Sequence, residues 1–178
     1  MKKSIIKILL QIIICGMMSL NLFAQNHPIY VGQTLSPGYG IGVNTNLGKN
    51  NWLSDSSGYM KMVYPSGQEW GAVFITVGAP KYPPRPFMNF TMYKSITLEM
   101  KGAIGRETVY IGIKDNTDPD DGRETKITFS LTNHWQVYEI LLNRFVTADL
   151  SHLHMPIEFV FEGNQSKTVY FRNIKYNQ

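Results

Sequence analysis

The sequence predicts an all-β fold: two antiparallel sheets packed face to face as a β-sandwich, most simply a jelly roll. Apolar and polar residues alternate with period two in segment after segment, the pattern of strands with one buried face. Clusters of Gly, Pro, Asn and Asp separate those segments at short intervals. No segment sustains a helical period, and the 10 Tyr, 9 Phe and 3 Trp suit a pleated surface.

The elements follow in order. A first strand is expected near Ile29 to Leu35. Ser36 to Ser57, rich in Gly and Asn, reads either as a long loop or as irregular strands at a sandwich edge. Tyr59 to Tyr64 puts Met60, Met62 and Tyr64 on one face. Trp70 to Val77 is continuously apolar, as a central strand would be. Ser95 to Lys101 turns Ile96, Leu98 and Met100 inward and Thr97, Glu99 and Lys101 outward. Thr108 to Lys114 turns Val109, Ile111 and Ile113 inward and Tyr110 and Lys114 outward. Thr125 to Leu131 turns Ile127, Phe129 and Leu131 inward. Trp135 to Leu142, Ile157 to Phe161 and Thr168 to Tyr176 complete the set, with one helical turn at Asp149 to Leu153. Turn chemistry marks the joints, at Pro65-Ser66-Gly67, Pro80 to Pro86, Gly102 to Arg106, Pro119 to Gly122 and Gly163 to Lys167.

The start of the chain reads as an address. Lys2, Lys3 and Lys7 precede a mostly apolar run, Ile8 to Leu22, which ends at Phe23-Ala24 before Gln25. This is the pattern of a secretory signal peptide cleaved after Ala24, and the run is too short and interrupted for a comfortable membrane span. The expected organisation is a leader over 1–24 and one β-sandwich domain over 25–178. That domain would be exported to the periplasm, the cell surface or the medium, with no membrane span after cleavage. Cys15, the one cysteine, lies in the leader, so disulfide and thiol chemistry are not expected of the domain. Removing the three leader lysines leaves 14 basic against 13 acidic residues, a balance that argues against a nucleic-acid partner.

Motifs in the second half carry a family likeness. They are Tyr64-Pro-Ser-Gly-Gln-Glu-Trp-Gly-Ala-Val-Phe74; the stretch from Gly112-Ile-Lys-Asp115 to Glu124-Thr-Lys126; Trp135-Gln-Val-Tyr138; Asp149-Leu-Ser-His-Leu153; Glu158-Phe-Val-Phe-Glu-Gly163; and Thr168-Val-Tyr-Phe-Arg-Asn-Ile-Lys-Tyr176. Their order resembles carbohydrate-binding domains of the galactose-binding-like jelly-roll superfamily. It is most similar to the branch of family-11-type modules and the complex I intermediate-associated family, over about Gly58 to Tyr176. The resemblance implies a non-catalytic module that binds glycans on a concave sheet face or at loop tips. It also implies, in many relatives, a structural calcium ion.

A sugar site needs flat aromatic faces for C–H groups and planar polar side chains for hydroxyls. Outward-facing Tyr110 and Lys114, with Lys126 from the next strand, meet that description. So do Glu158, Tyr170 and Arg172 on the last two strands, where Glu158 and Arg172 would form an ion pair if those strands neighbour each other. The competing reading is a solvated, salt-bridged sheet face. Trp70, after a Gly-Gln-Glu turn, either caps the core or presents a sugar platform. Trp52, in the Asn-rich stretch, is expected as a lid over the sandwich end, and Trp135, opening an apolar strand, in the core.

The acidic loop from Asp115 to Glu124 offers Asp115, Asp118, Asp120 and Asp121 as a calcium set, because hard cations take several oxygens. It does not fit the EF-hand register, and the competing reading is a Pro-Asp-Asp-Gly turn with Asp115 held by local backbone amides. No cofactor is required for binding. Catalytic signals are weak. There is no Gly-x-Ser-x-Gly elbow and no phosphate loop. His152 and His154 are expected at the surface, and pairs from Glu69, Glu99, Glu158 and Glu162 are such as any sandwich offers.

The leading expectation is therefore an exported, non-catalytic protein that holds a polysaccharide or oligosaccharide. The alternatives are an assembly domain binding another envelope protein through the same fold, and a polysaccharide-active enzyme. Under the leading reading, a glycan-degrading partner would be a separate protein.

Overall fold

Alternation in the sequence becomes cross-strand pairing in the computed structural model, which describes residues 26–48, 51–80 and 84–178. The leader expected over 1–24 lies outside them. The described residues form twelve strands in two antiparallel sheets. The first sheet holds β1 (His27–Val31), β2 (Thr34–Leu35), β4 (Leu53–Ser56), β5 (Tyr59–Tyr64), β7 (Ser95–Gly102), β10 (Gln136–Leu141) and β12 (Lys167–Asn177). The second runs in the order β3 (Tyr39–Thr45), β6 (Trp70–Val77), β11 (Leu153–Glu162), β8 (Thr108–Asp115) and β9 (Lys126–Ser130). The Asn-rich stretch is thus not one loop: it supplies an edge strand to each sheet, β3 beside β6 and β4 beside β5. The helical turn expected near Asp149 is a 3-10 turn at Leu150–His152, started by Asp149, whose side chain accepts from the Ser151 amide.

The core is the contact between inner faces. Ring stacks cross from sheet to sheet: Phe159 of β11 on Phe171 of β12 at 4.6 Å, and Phe161 of β11 on Tyr64 of β5 at 5.5 Å. Met62, Ile96, Leu98, Ile111 and Ile157 are fully buried around them. Trp52 is buried against Tyr64 and Phe161, so it closes the sandwich end as expected.

Two irregularities shape the functional faces. β11 carries Pro156 in mid-strand, and the register against β8 shifts twice between Leu153 and Glu158. A proline cannot donate to the ladder, so a bulge is where a central strand accommodates one. The Pro156 carbonyl instead accepts from the buried Tyr176 hydroxyl of the opposite sheet at 2.7 Å. β12 bulges between Arg172 and Lys175, where Asn173 takes the left-handed conformation (φ 54°). No helix among the described residues is long and apolar enough to cross a membrane.

Candidate functional site

The outer face of the second sheet carries an open trough of about 750 Å³. One flank is apolar. On β6, residues alternate so that Trp70, Ala72, Phe74 and Thr76 line the trough while Val73, Ile75 and Val77 enter the core. Trp70 is 39% exposed, a large ring left partly in water. Phe74 is accommodated by a missing side chain on the neighbouring edge strand: a Cβ on Gly42 would sit 2.5 Å from the Phe74 ring.

The other flank is charged and largely buried. Lys114 of β8 reaches Glu124 at 3.3 Å, Asp120 at 3.5 Å, Asp118 at 3.7 Å and Glu158 at 3.9 Å. Lys126 of β9 pairs with Glu124 at 2.6 Å and donates to the Gly122 carbonyl. Arg85 pairs with Asp120 and donates to the Asp118 carbonyl, tying the Pro-rich segment to the acidic loop. Glu158 fits because its neighbour on β8 is Gly112, where a Cβ would lie 2.4 Å from Glu158 Oε1. That Oε1 is buried and meets no hydrogen-bond partner among the described residues.

The electrostatics follow from crowding charges out of water. Burial pushes the Glu158 carboxyl up to about 8; Lys114 opposes the shift and the nearby Glu124 carboxylate adds to it. Burial also works against the charge of Glu124, but the Lys126 hydrogen bond, a backbone amide and Lys114 outweigh it and bring that group to about 2. Burial disfavours the Lys114 ammonium as well, yet its four carboxylate neighbours hold its pKa above the ordinary lysine value. Within this flank burial therefore favours the protonated form of Glu158, while Lys126 and Lys114 favour the ionised form of Glu124.

The residues nominated from sequence divide between the two sheets. Trp70, Lys114, Lys126 and Glu158 line the trough. Tyr110 lies on the same face beside Val160, outside the lining. Tyr170 and Arg172 are on β12, in the first sheet, on the opposite side of the molecule. The conditional Glu158–Arg172 ion pair does not form, because β11 and β12 belong to different sheets; Arg172 pairs instead with Glu99 at 2.7 Å. Trp135 is not in the core. It precedes β10, half-buried on the first sheet's outer face, beneath the cations of Lys101 and Arg172. His154 is not at the surface either: it is 3% exposed, with Nδ1 in hydrogen-bond contact with the Pro86 carbonyl at 2.7 Å, because β11 begins at Leu153 and carries it into the sheet. His152 is exposed and paired with Asp149.

The acidic loop behaves as a turn and a wall. Asp115 Oδ1 accepts from the Thr117 amide and hydroxyl, and Oδ2 from the Asp149 amide. Asp118 caps the Asp120 amide and Asp121 the Arg123 amide. Among the described residues, no three His, Cys, Asp or Glu side chains group as a metal site. Arg85, Glu124 and Phe74 were not among the residues nominated from sequence. Phase along β6 would have found Phe74, two pairs on from Trp70. Nothing local marks Arg85, whose partners lie more than thirty positions away.

The β-sandwich has known counterparts. The family model for carbohydrate binding domain 30 matches residues 41–178. The chain belongs to this family. Family 30 thus replaces the family-11-type and complex I intermediate-associated branch that the motifs resemble. Solved structures agree on the fold. The family 30 module of the cellulosomal cellulase Cel9D-Cel44B of Clostridium thermocellum matches at a TM-score of 0.59 and 17% identity, over 85% of this chain and 96% of that one. A family 29 carbohydrate-binding module mutant complexed with mannohexaose matches at 0.59 and 16% identity, over 88% and 93%. Another family 29 mutant, complexed with cellulohexaose, matches at 0.59 and 17%, over 88% and 93%. No curated protein matches the chain.

Proposed function

We propose that this family 30 member is an exported, non-catalytic protein that holds a neutral hexopyranose chain along the trough of the second sheet. The observation that carries the reading is the pairing of two unlike flanks. Trp70 and Phe74 offer ring faces to sugar C–H groups, and opposite them Glu158, Glu124, Lys126 and Lys114 offer donors and acceptors for hydroxyls. The family 29 counterparts complexed with mannohexaose and cellulohexaose support a β-sandwich of this kind taking such a chain.

The sign of the flank supports a neutral ligand. The carboxylates of Asp120, Asp121, Glu124 and Glu162 at the trough outnumber the cations of Arg85, Lys114 and Lys126, and the cations are already paired. An acidic polymer would meet like charge there. The same pairing supports binding without chemistry: a glycosidase sets an acid and a base on either side of the bond it cleaves, whereas Glu124 and Glu158 both lie against one ammonium, at 3.3 and 3.9 Å. The charged leader sequence before Ala24 supports export.

A glycan array probed with the purified protein tests this. Binding confined to neutral glucans or mannans, and lost in Trp70→Ala, is the expected result. Silence across all neutral polysaccharides would refute it.

A further inference from the structure

The first sheet has its own aromatic surface, on the face away from the trough. Cross-strand register places Tyr170 of β12 between Lys101 of β7 and Lys61 of β5. Trp135, one residue before β10, extends the row beyond Lys101. Lys101 Nζ lies 5.3 Å from the Trp135 ring centre and 5.0 Å from that of Tyr170, so one ammonium serves both rings. The Arg172 guanidinium lies 4.3 Å from the Trp135 ring, and Tyr59 closes the cluster against Trp135 and Tyr170 at 5.7 and 5.5 Å. All three rings are only half-buried. Next to them, Val137 is 71% exposed at the edge of a shallow depression of about 400 Å³ formed at the β12 bulge.

The charge here is opposite to that of the trough. Lys61, Lys101, Arg172 and Lys175 point outward on β5, β7 and β12, against Glu99 and Glu139. Both carboxylates are engaged, Glu99 by Arg172 and Asn173, Glu139 by the Ser95 hydroxyl. Among the described residues, neither carboxylate of the row pairs with these lysines. We infer that this face is a second glycan-binding surface, for an acidic polysaccharide: pyranose rings lie against the parts of Trp135 and Tyr170 that Lys101 and Arg172 leave uncovered, and uronate carboxylates meet Lys101 and Lys61. Aromatic faces alone would take a neutral sugar; alternation of ring and ammonium is what matches a chain bearing both apolar C–H faces and regular negative charge. This surface shares no residue with the trough, so it stands or falls independently of it.

Affinity electrophoresis of the purified protein tests the assignment, with gels containing polygalacturonate, dextran sulfate or a neutral β-glucan. Polygalacturonate is expected to retard the protein, more weakly as salt rises. Lys101→Gln and Tyr170→Ala are each expected to weaken that binding by about tenfold, the size of one charge-assisted or stacking contact. Lys101→Arg should retain it, and Trp70→Ala, altered only in the trough, should bind polygalacturonate as the parent does. Lys101→Gln leaves the rings in place, and an unchanged melting temperature certifies its fold. Absence of retardation at low salt overturns the proposal. So does equal retardation by dextran sulfate, which would mean charge alone, or loss of polygalacturonate binding in Trp70→Ala but not in the outer-face variants.

Discussion

The outer faces of the two sheets carry the same ingredients, aromatic rings with lysine, arginine and glutamate, and treat them differently. On the second sheet, β11 is flanked by β6 and β8 and walled by the 115–124 loop, so Lys114, Glu124 and Glu158 are almost wholly removed from water. There burial raises the Glu158 carboxyl, while the Lys126 hydrogen bond, a backbone amide and Lys114 lower Glu124 against its own burial. On the first sheet the Arg172–Glu99 pair stays wetter, with about a third and a quarter of those side chains exposed. Burial, set by what stands over a sheet, turns similar residues into either a stiff polar floor or a wet charged surface.

The largest expected difference is in stability. Lys114→Met should cost about 3–5 kcal/mol, because it strands carboxylates in a buried cluster. Arg172→Met on the wet face should cost about 1 kcal/mol or less, as expected of a partly exposed pair. Urea denaturation of both variants measures the gap; equal costs would break the comparison.

A smaller effect is expected from the glycines that make room in the trough. Gly112→Ala, with its Cβ 2.4 Å from Glu158 Oε1, should destabilise by about 1–3 kcal/mol and weaken glycan binding. Gly42→Ala should displace the Phe74 ring and be felt in titration calorimetry more than in melting.

Next comes pH. Glu158 is pushed up to about 8 in the fold against about 4.3 in the unfolded chain, so the native state holds the extra proton between those values. Stability from this group is complete below about pH 4.3 and is lost as pH rises through about 8. Glu124, depressed to about 2, has the opposite sign and loses its contribution only as pH falls from about 4 toward 2. Thermal melts between about pH 5 and 8 should therefore slope downward in the parent and flatten in Glu158→Gln, which keeps the neutral form. The wet face should add no comparable slope.

The smallest effect expected is that of a chelator. Asp115 and Asp118 already accept local amides, so EDTA should leave both melting temperature and neutral-glycan binding unchanged. A fall in melting temperature would support the calcium reading of the acidic loop.

The strands were legible in the sequence because a half-buried sheet imposes period two on it. Met60–Met62–Tyr64 and Ile96–Leu98–Met100 point inward as their alternation predicts. What alternation does not encode is which sheet a strand joins. Tyr170 and Glu158 face outward as expected, but β11 and β12 lie back to back across the core, so the two residues are on opposite sides of the protein. Trp135 misled for a related reason: it stands one residue before an apolar strand, yet its phase matches Lys101, an outward position. His154 misled because a bulge at Pro156 lets β11 run further back than its apolar run suggests. In the trough, Trp70, Lys114, Lys126 and Glu158 were readable from residue type and phase. Arg85 was not, since its place depends on a loop folding over the sheet from a distant part of the chain.

We propose above that the trough of the second sheet takes a neutral hexopyranose chain. The most direct test is calorimetric titration of cellohexaose and mannohexaose into the parent protein, Trp70→Ala and Tyr170→Ala. Binding of at least one sugar by the parent and by Tyr170→Ala, abolished in a folded Trp70→Ala, is the predicted result. Binding that survives Trp70→Ala but is lost in Tyr170→Ala would move neutral-sugar recognition to the opposite face and contradict the account.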